Sequence, residues 1–346
     1  MDMQNMLERL CTVGAPSGFE RPAALIAREM LEELMDEAWI DRLGNAIGVR
    51  RCGKKDAPKL LLDAHLDEIG LIVTGIKEGF LKFHTIGGVD PRMLPDRELT
   101  ILTDPPLFGV VACLPPHVLS AEDREKAPPI EEFYVDTGLS QEEAERLIPI
   151  GTPMVFRDSF TKLGEDQLCS KAMDDRACFV TLLRAAEILK EKELDVDLYI
   201  MGSTREEISG AGAKTATQQL NPDYCIAVDV THGKTPDSPP GTASKIGGGP
   251  AIGIGPNMTR WMTKRMFAKA AEEEIEVQKE VMAGHTGTNG WGMQICNEGI
   301  ATSVVSLPLK YMHTPVEVLK ISDMEAVARL LAAFTVDLGK EGGPEW

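Results

Sequence analysis

The run Leu60-Leu61-Leu62-Asp63-Ala64-His65-Leu66-Asp67-Glu68 begins as a strand and ends in side chains that carry chemistry. Three leucines followed by Asp63-Ala64 suit a buried strand, and His65 stands where that strand gives out. Alternation along an extended chain puts His65 and Asp67 on one side. A carboxylate there can accept the second imidazole N–H, which fixes the tautomer and raises the ring's basicity toward a metal. His65 therefore reads as a ligand and Asp67 as the residue that orients it. Taken alone, His65 fits a satisfied core histidine equally well.

The same arrangement recurs downstream. Leu198-Tyr199-Ile200-Met201 leads to Glu206-Glu207, and Cys225-Ile226-Ala227-Val228 ends at Asp229. Asp174-Asp175 stands just before a helical stretch, and His313 follows a β-type run ending at Ser306. Each has a plainer reading, N-capping for the aspartate pair and solvated surface charge for the glutamates. Strand ends on one edge of an α/β sheet converge, however, so groups far apart in sequence can meet. Two imidazoles and several carboxylates, with no Cys among them, suit two divalent ions such as zinc, cobalt or manganese. In that reading Asp174 bridges both ions and Asp175 holds it in place. One of Glu206 and Glu207 binds metal while the other stays free as a general base for water. Asp229, preceded by four largely apolar residues, needs a partner if buried.

Outward from these points the chain reads as a discontinuous α/β domain with a β insert. Helices are expected over Met3–Cys11 and 20–37, the second opened by a capping box in Ser17-Gly18-Phe19-Glu20. Strands follow at 45–49 and 60–64. From 70 to about 164, short β-type runs (71–74, 80–83, 99–102, 109–113, 154–156) alternate with Gly- and Pro-rich turns, and only 140–148 looks helical. After Asp174 the alternation resumes, with helices at 176–190, 211–220 and 259–273 and strands at 198–203, 225–230, 276–282 and 301–306. Ser322-Asp323-Met324-Glu325 supplies a capping box for a last helix. The expected division is 1–70 and 165–346 for the catalytic domain and 71–164 for the insert.

Composition narrows the partners. With 36 basic against 54 acidic residues the formal net charge is −18, which disfavours nucleic acid and anionic membrane. Seven cysteines without a C-x-x-C read as reduced thiols. The first residues lack a basic region followed by an apolar one, and no stretch is long enough to span a bilayer, so the expected location is the cytoplasm. Gly247-Gly248-Gly249-Pro250 lacks the Lys-Ser/Thr of a phosphate loop.

Ala64-His65-Leu66-Asp67-Glu68-Ile69-Gly70, Lys171-Ala172-Met173-Asp174-Asp175-Arg176, Glu206-Glu207, Val228-Asp229-Val230-Thr231 and Tyr311-Met312-His313-Thr314-Pro315-Val316-Glu317 together resemble the M42 family of metallo-aminopeptidases. That family comprises glutamyl- and leucyl-aminopeptidase-like tetrahedral enzymes, some of them labelled endoglucanase. The likeness extends into the insert through Pro115-Pro116-His117-Val118-Leu119 and Val135-Asp136-Thr137-Gly138. It implies a phosphorylase/hydrolase-like mixed-sheet α/β core with an inserted β-barrel that pairs subunits. It also implies short peptides as substrates and a homo-oligomer, a dodecamer built from dimers. Carried over, one metal takes His65, Asp174 and Asp229, the other Asp174, Glu207 and His313, and Glu206 is the base. Two positions depart from the common pattern: Asn289 stands in Gly287-Thr288-Asn289-Gly290 where the family often has Asp, and Lys310 replaces an Arg before Tyr311.

Other readings remain open. The M20 family of metallo-carboxypeptidases and deacylases uses a similar ligand set, but its extra domain is inserted late, whereas here the longer gap is early, between Asp67 and Asp174. A glycosidase would use two carboxylates and no metal, leaving the histidines without a task. A degenerate scaffold would have lost ligands, and all are present. For the N-terminal side chain, a pocket is expected from loops 246–257 and 284–291, with His285, Asn289 and Lys310 as substrate contacts. Neither loop holds a carboxylate, so a neutral or acidic residue is expected rather than Lys or Arg, with a lean toward the apolar.

Overall fold

Lys59–His65 forms the strand that its leucines announce, and it lies near the middle of an eight-stranded sheet. The structure, a computed structural model, describes residues 2–126, 128–157, 159–341 and 343. Residues 127 and 158 of the expected insert and the tail of the second catalytic segment, 342 and 344–346, lie outside it. The sheet runs in the order Glu37–Ile40, Ala46–Arg50, Asp197–Ser203, Lys59–His65, Tyr224–His232, Ala301–Leu309, Ala251–Ile254, Gln278–Val281. Its four central strands are parallel, with Ser203 level with His65 and Asp229 level with Ser306. Their C-terminal ends therefore share one edge.

Alternation sorts the two faces. Leu60, Leu62, Leu198, Ile200, Ile226 and Val228 pack with the helices Met3–Cys11, Arg21–Glu32, Met173–Leu189 and Ile321–Glu341. Leu61, Tyr199, Met201, Cys225 and Ala227 face the other way, toward Ala211–Leu220 and the short helix Gly290–Met293. Strands buried on both sides read as continuous apolar runs, which is why no period of two is visible in 60–62 or 225–228.

The early gap is filled by a closed antiparallel barrel in the order Gly70–Lys77, Phe80–Ile86, Tyr134–Asp136, Leu107–Ala112, Glu98–Ile101, Pro153–Phe156. Leu71, Val73, Leu81, Phe83, Leu99 and Val135 fill it. Tyr134–Asp136 was not expected, because three residues with one buried side chain give no pattern to read. A third sheet, Thr161–Leu163, Gln167–Ser170 and Glu317–Lys320, joins the stretch before Asp174 to the stretch after His313.

Two expected caps are absent. The second helix ends at Glu32, and Glu37–Ile40 is a strand. Ser17 caps nothing there; its hydroxyl donates to Asp67 Oδ2 at 2.5 Å, while Glu20 Oε1 accepts from Gly18 and Arg205 N–H groups. The last helix begins one residue early, at Ile321, so Ser322 lies inside it. Asp323 instead receives the N–H groups of Gly247 and Gly249. Tertiary partners at the sheet's rim have outbid the local motif. By contrast Ser140 and Glu143 do form a capping box on Gln141–Leu147.

Candidate metal centre

A strand end, a helix start and the turns beyond two further strands bring the groups together. His65 closes its strand with its ring buried, Nε2 3.1 Å from Asp174 Oδ1 and Nδ1 3.0 Å from the Asp67 carbonyl oxygen. The Asp67 carboxylate is also near, 3.5 Å from Nδ1, so the ring's outer nitrogen is held on the side away from Asp174. Asp67 is itself fixed by three donors: Ser17 Oγ, the Glu206 N–H and the Glu207 N–H. One buried carboxylate thus positions both the histidine and the turn that carries the glutamates.

Asp174 lies at the centre. Its Oδ1 faces His65, and its Oδ2 lies 3.3 Å from His313 Nε2, which is also 3.3 Å from Glu207 Oε2. Glu206 Oε2 lies 4.0 Å from His65 Nε2. Asp229 is buried within its strand, which runs on to His232, and its Oδ1 accepts from the Val230 N–H. Asp175 receives the His65 N–H on Oδ2, while its buried Oδ1 has no partner among the described residues. Two triplets have ligand atoms within 4.8 Å of one another: His65, Asp174 and Glu207, and His65, Asp175 and Asp229. Ala172, Arg205, Tyr311 and His313, beside these groups, have φ of 57°, 60°, 62° and 60°, a left-handed conformation that non-glycine residues adopt only when surroundings impose it.

Glu317 was not singled out by the sequence. Its Oε2 accepts the Asp174 N–H at 3.1 Å and its Oε1 the His313 N–H at 2.9 Å, so one buried carboxylate ties the backbones of two candidate ligands. The signal available was its place four residues after His313. The barrel also reaches the centre: a Cβ on Gly88 would meet His313 Nδ1 at 2.7 Å, so only glycine admits the histidine there. Behind the centre, Glu68 is bound by Lys171 Nζ at 2.7 Å and Arg176 Nη2 at 3.1 Å, all three buried.

Charge is badly crowded. Burial, helped by Glu207 and Asp174 and opposed by His65, raises Glu206 to about 7. Burial and neighbouring carboxylates also push Asp175, Asp229 and Glu317 well above the ordinary range. Burial pushes Asp174 up too, but hydrogen bonds from His313 and His65 outweigh it and hold the carboxyl low. Asp174 and Glu207 lift His313 to about 11. So many desolvated carboxylates around two imidazoles form a donor set that fits divalent cations, which would relieve the repulsion.

The cleft over the centre holds about 490 Å³ and is walled beyond the metal-ligand candidates by Thr231, His232, Glu280, Met282, Thr286 and Met312. The residues expected to touch substrate are placed elsewhere. Asn289 is buried and donates to Asp63 Oδ2 and Ser203 Oγ. His285 packs on Trp291, ring centroids 4.5 Å apart, and Lys310 donates to Gln167 Oε1. Of the two loops expected to form the pocket, 284–291 lines the cleft through Thr286, Gly287 and Thr288, whereas 246–257 does not, because Gly247 and Gly249 are held by Asp323 and Ala251–Ile254 runs inside the sheet. The expectation of a wall without acids is corrected by Glu280, on the strand between the two loops.

A profile described as M42 glutamyl aminopeptidase matches residues 44–330. A lysyl aminopeptidase of Pyrococcus furiosus is 37% identical over 90% of this chain and 90% of its own. An aminopeptidase from the archaeon Desulfurococcus kamchatkensis superposes with a TM-score of 0.90 at 32% identity, covering 97% of this chain and 94% of that one. The TET1 peptidase of Pyrococcus horikoshii, described as able to assemble into a tetrahedron or a large octahedral shell, gives 0.85 at 28% identity over 97% and 100%.

Proposed function

This chain belongs to the M42 glutamyl aminopeptidase family and is an aminopeptidase; from that premise we propose that it removes the first residue of short peptides with two divalent ions and Glu206 as general base. The observation that carries this reading is the position of Asp174, with one oxygen 3.1 Å from His65 and the other 3.3 Å from His313. His65, Asp174 and Asp229 would hold one ion, and Asp174, Glu207 and His313 the other. Zinc, cobalt and manganese all suit this nitrogen and oxygen set. When bound, the ions supply Lewis-acid polarisation of the scissile carbonyl and acidify water.

The chain's own residues do the rest. Glu206, left out of both proposed ligand sets and 4.0 Å from His65 Nε2, can take a proton from water. As the water oxygen bonds to the carbonyl carbon and the C–N bond breaks, Glu206 returns that proton to the departing amine. Asp67 keeps Glu206 at its post through the turn N–H and keeps the His65 ring oriented. No serine or cysteine nucleophile is needed.

We assign residues 1–70 and 165–346 to the catalytic unit and 71–164 to a dimerisation domain that builds a dodecamer. Among the described residues no helix is long and apolar enough to cross a membrane. The assembly is read as cytoplasmic, with peptides rather than nucleic acid or membrane as partners, in keeping with the acidic net charge of −18. The test uses the protein stripped by chelator, then supplied with zinc, cobalt or manganese, on tripeptides with free or acetylated N-termini. Release of the first residue should vanish and return with metal, on free N-termini only. Full activity after complete metal removal would overturn the dinuclear mechanism.

A further inference from the structure

We infer that Glu280 selects a basic N-terminal residue, lysine before arginine, by offering its free carboxylate oxygen to the substrate's side-chain cation. The inference rests on the aminopeptidase reading above and adds the substrate class. Glu280 lies on the sheet's edge strand Gln278–Val281, where Lys279 and Val281 are exposed while Gln278 and Glu280 are half-buried. Glu280, with Val281 and Met282 after it, forms part of the cleft wall. Thr231 Oγ1 donates to Glu280 Oε1 at 2.5 Å, which anchors the carboxylate. Oε2 is buried and has no hydrogen-bond partner among the described residues. A desolvated carboxylate oxygen without a donor is costly, and a cationic donor removes that cost.

Distance and charge agree with this occupant. Thr231 follows Asp229 by two positions on Tyr224–His232, so both side chains face the cleft. Two residues of strand span about 6.6 Å, roughly the reach of an extended lysine side chain from a Cα placed at the ligand cluster. Among the described residues neither Lys nor Arg lines the cleft, so an acidic side chain would meet Glu280 with no counter-charge. An apolar side chain would leave Oε2 unsatisfied and dry. With Oε1 committed to Thr231, the one open oxygen suits the point charge of an ammonium better than the two-pronged guanidinium.

The test measures kcat/KM of the metal-loaded full chain on the p-nitroanilides of Lys, Arg, Leu and Glu. Wild type should favour Lys over Leu by at least tenfold and Glu least of all. In Glu280→Gln the Lys-to-Leu ratio should fall about 10- to 100-fold, the weight of a charge-assisted hydrogen bond. Glu280→Lys should move preference toward Glu, a reversal that a merely structural residue would not give. A wild-type preference for Leu or Glu overturns the proposal without touching the aminopeptidase reading, and does so whether or not the variants fold. An unchanged ratio in Glu280→Gln overturns it as well. Turnover of none of the four would bring down the aminopeptidase reading and this proposal together.

Discussion

Asp174 and Glu206 face the same crowd of charge and respond in opposite directions. Asp174 is held low because imidazoles sit on both its oxygens, whereas Glu206, 4.0 Å from His65 Nε2, is raised to about 7 chiefly by burial. That contrast separates a group fit to stay ionised between two cations from one fit to trade a proton. Glu206→Gln should keep bound metal at wild-type level, by elemental analysis, while kcat falls about 10²–10⁴-fold. Retained turnover would show that another group takes the proton. The adjacent residues 206 and 207 also mark where the sequence stopped being legible. Both are glutamates at one strand end, and only the turn fixed by Asp67 separates their surroundings. Glu317 was harder still, since its task is to hold two backbone N–H groups and nothing in its own segment reports Asp174. Ser17 illustrates the same limit, because its partner Asp67 lies 50 positions away.

At the level of elements, the segments flanking Asp67 and Asp174 are locked together by Glu68, Lys171 and Arg176. Arg176 donates further to the carbonyls of Leu10, Val13 and Leu66, so one guanidinium ties the first helix, the His65 strand end and the Asp174 helix. Burial pushes Glu68 up, but Lys171 and Arg176 outweigh it and hold its carboxyl below the ordinary 4.5. A depressed folded value means that this group's stabilisation is complete above 4.5 and is lost as pH falls through the folded value. Glu68→Gln should cost about 3–5 kcal/mol at neutral pH, since two buried cations lose their anion. It should also flatten the acid limb of stability, and both effects can be read by urea titration at several pH values. A loss below 1 kcal/mol would show that the cations find other partners. Elements with continuous apolar runs were the easiest to read from sequence. Glu37–Ile40 and Glu317–Lys320 were missed because strands of four residues with no long apolar run depend on neighbours for their identity.

For the molecule as a whole, the barrel stands apart from the sheet in sequence yet supplies Gly88 to the His313 site. Exposed Phe108, Leu114, Val118 and Ile150 lie within or beside it. A dimerisation domain would cover such side chains with its partner. Multi-angle light scattering should give a mass near twelve chains at micromolar concentration, falling to dimers at low concentration or after mild acid. A stable monomer under all conditions would remove the assembly. The fold class was visible early because the ligand-bearing strands are also the most apolar segments. Barrel closure was not, because it rests on the three residues of Tyr134–Asp136 bridging Phe80–Ile86 and Leu107–Ala112.

The strand order has a consequence for synthesis. Ala46–Arg50 and Lys59–His65 are close in sequence but do not touch, since Asp197–Ser203 is inserted between them. Apart from the antiparallel pair of Glu37–Ile40 with Ala46–Arg50, the first half of the catalytic sheet therefore has nothing to pair with until that late strand has left the ribosome, and the His313 segment comes later still. Meanwhile the barrel strands from Gly70 to Phe156 find all their partners among themselves. Chains with long-range parallel pairing fold slowly, whereas neighbouring antiparallel strands close early. Pulsed hydrogen exchange during refolding should find Leu71, Val73 and Val135 amides protected before those of Leu61, Ile200 and Ile226. Peptide-cleaving capacity would then arrive as the last event in the life of a nascent chain, so unfinished copies held on the ribosome would be unable to digest their neighbours.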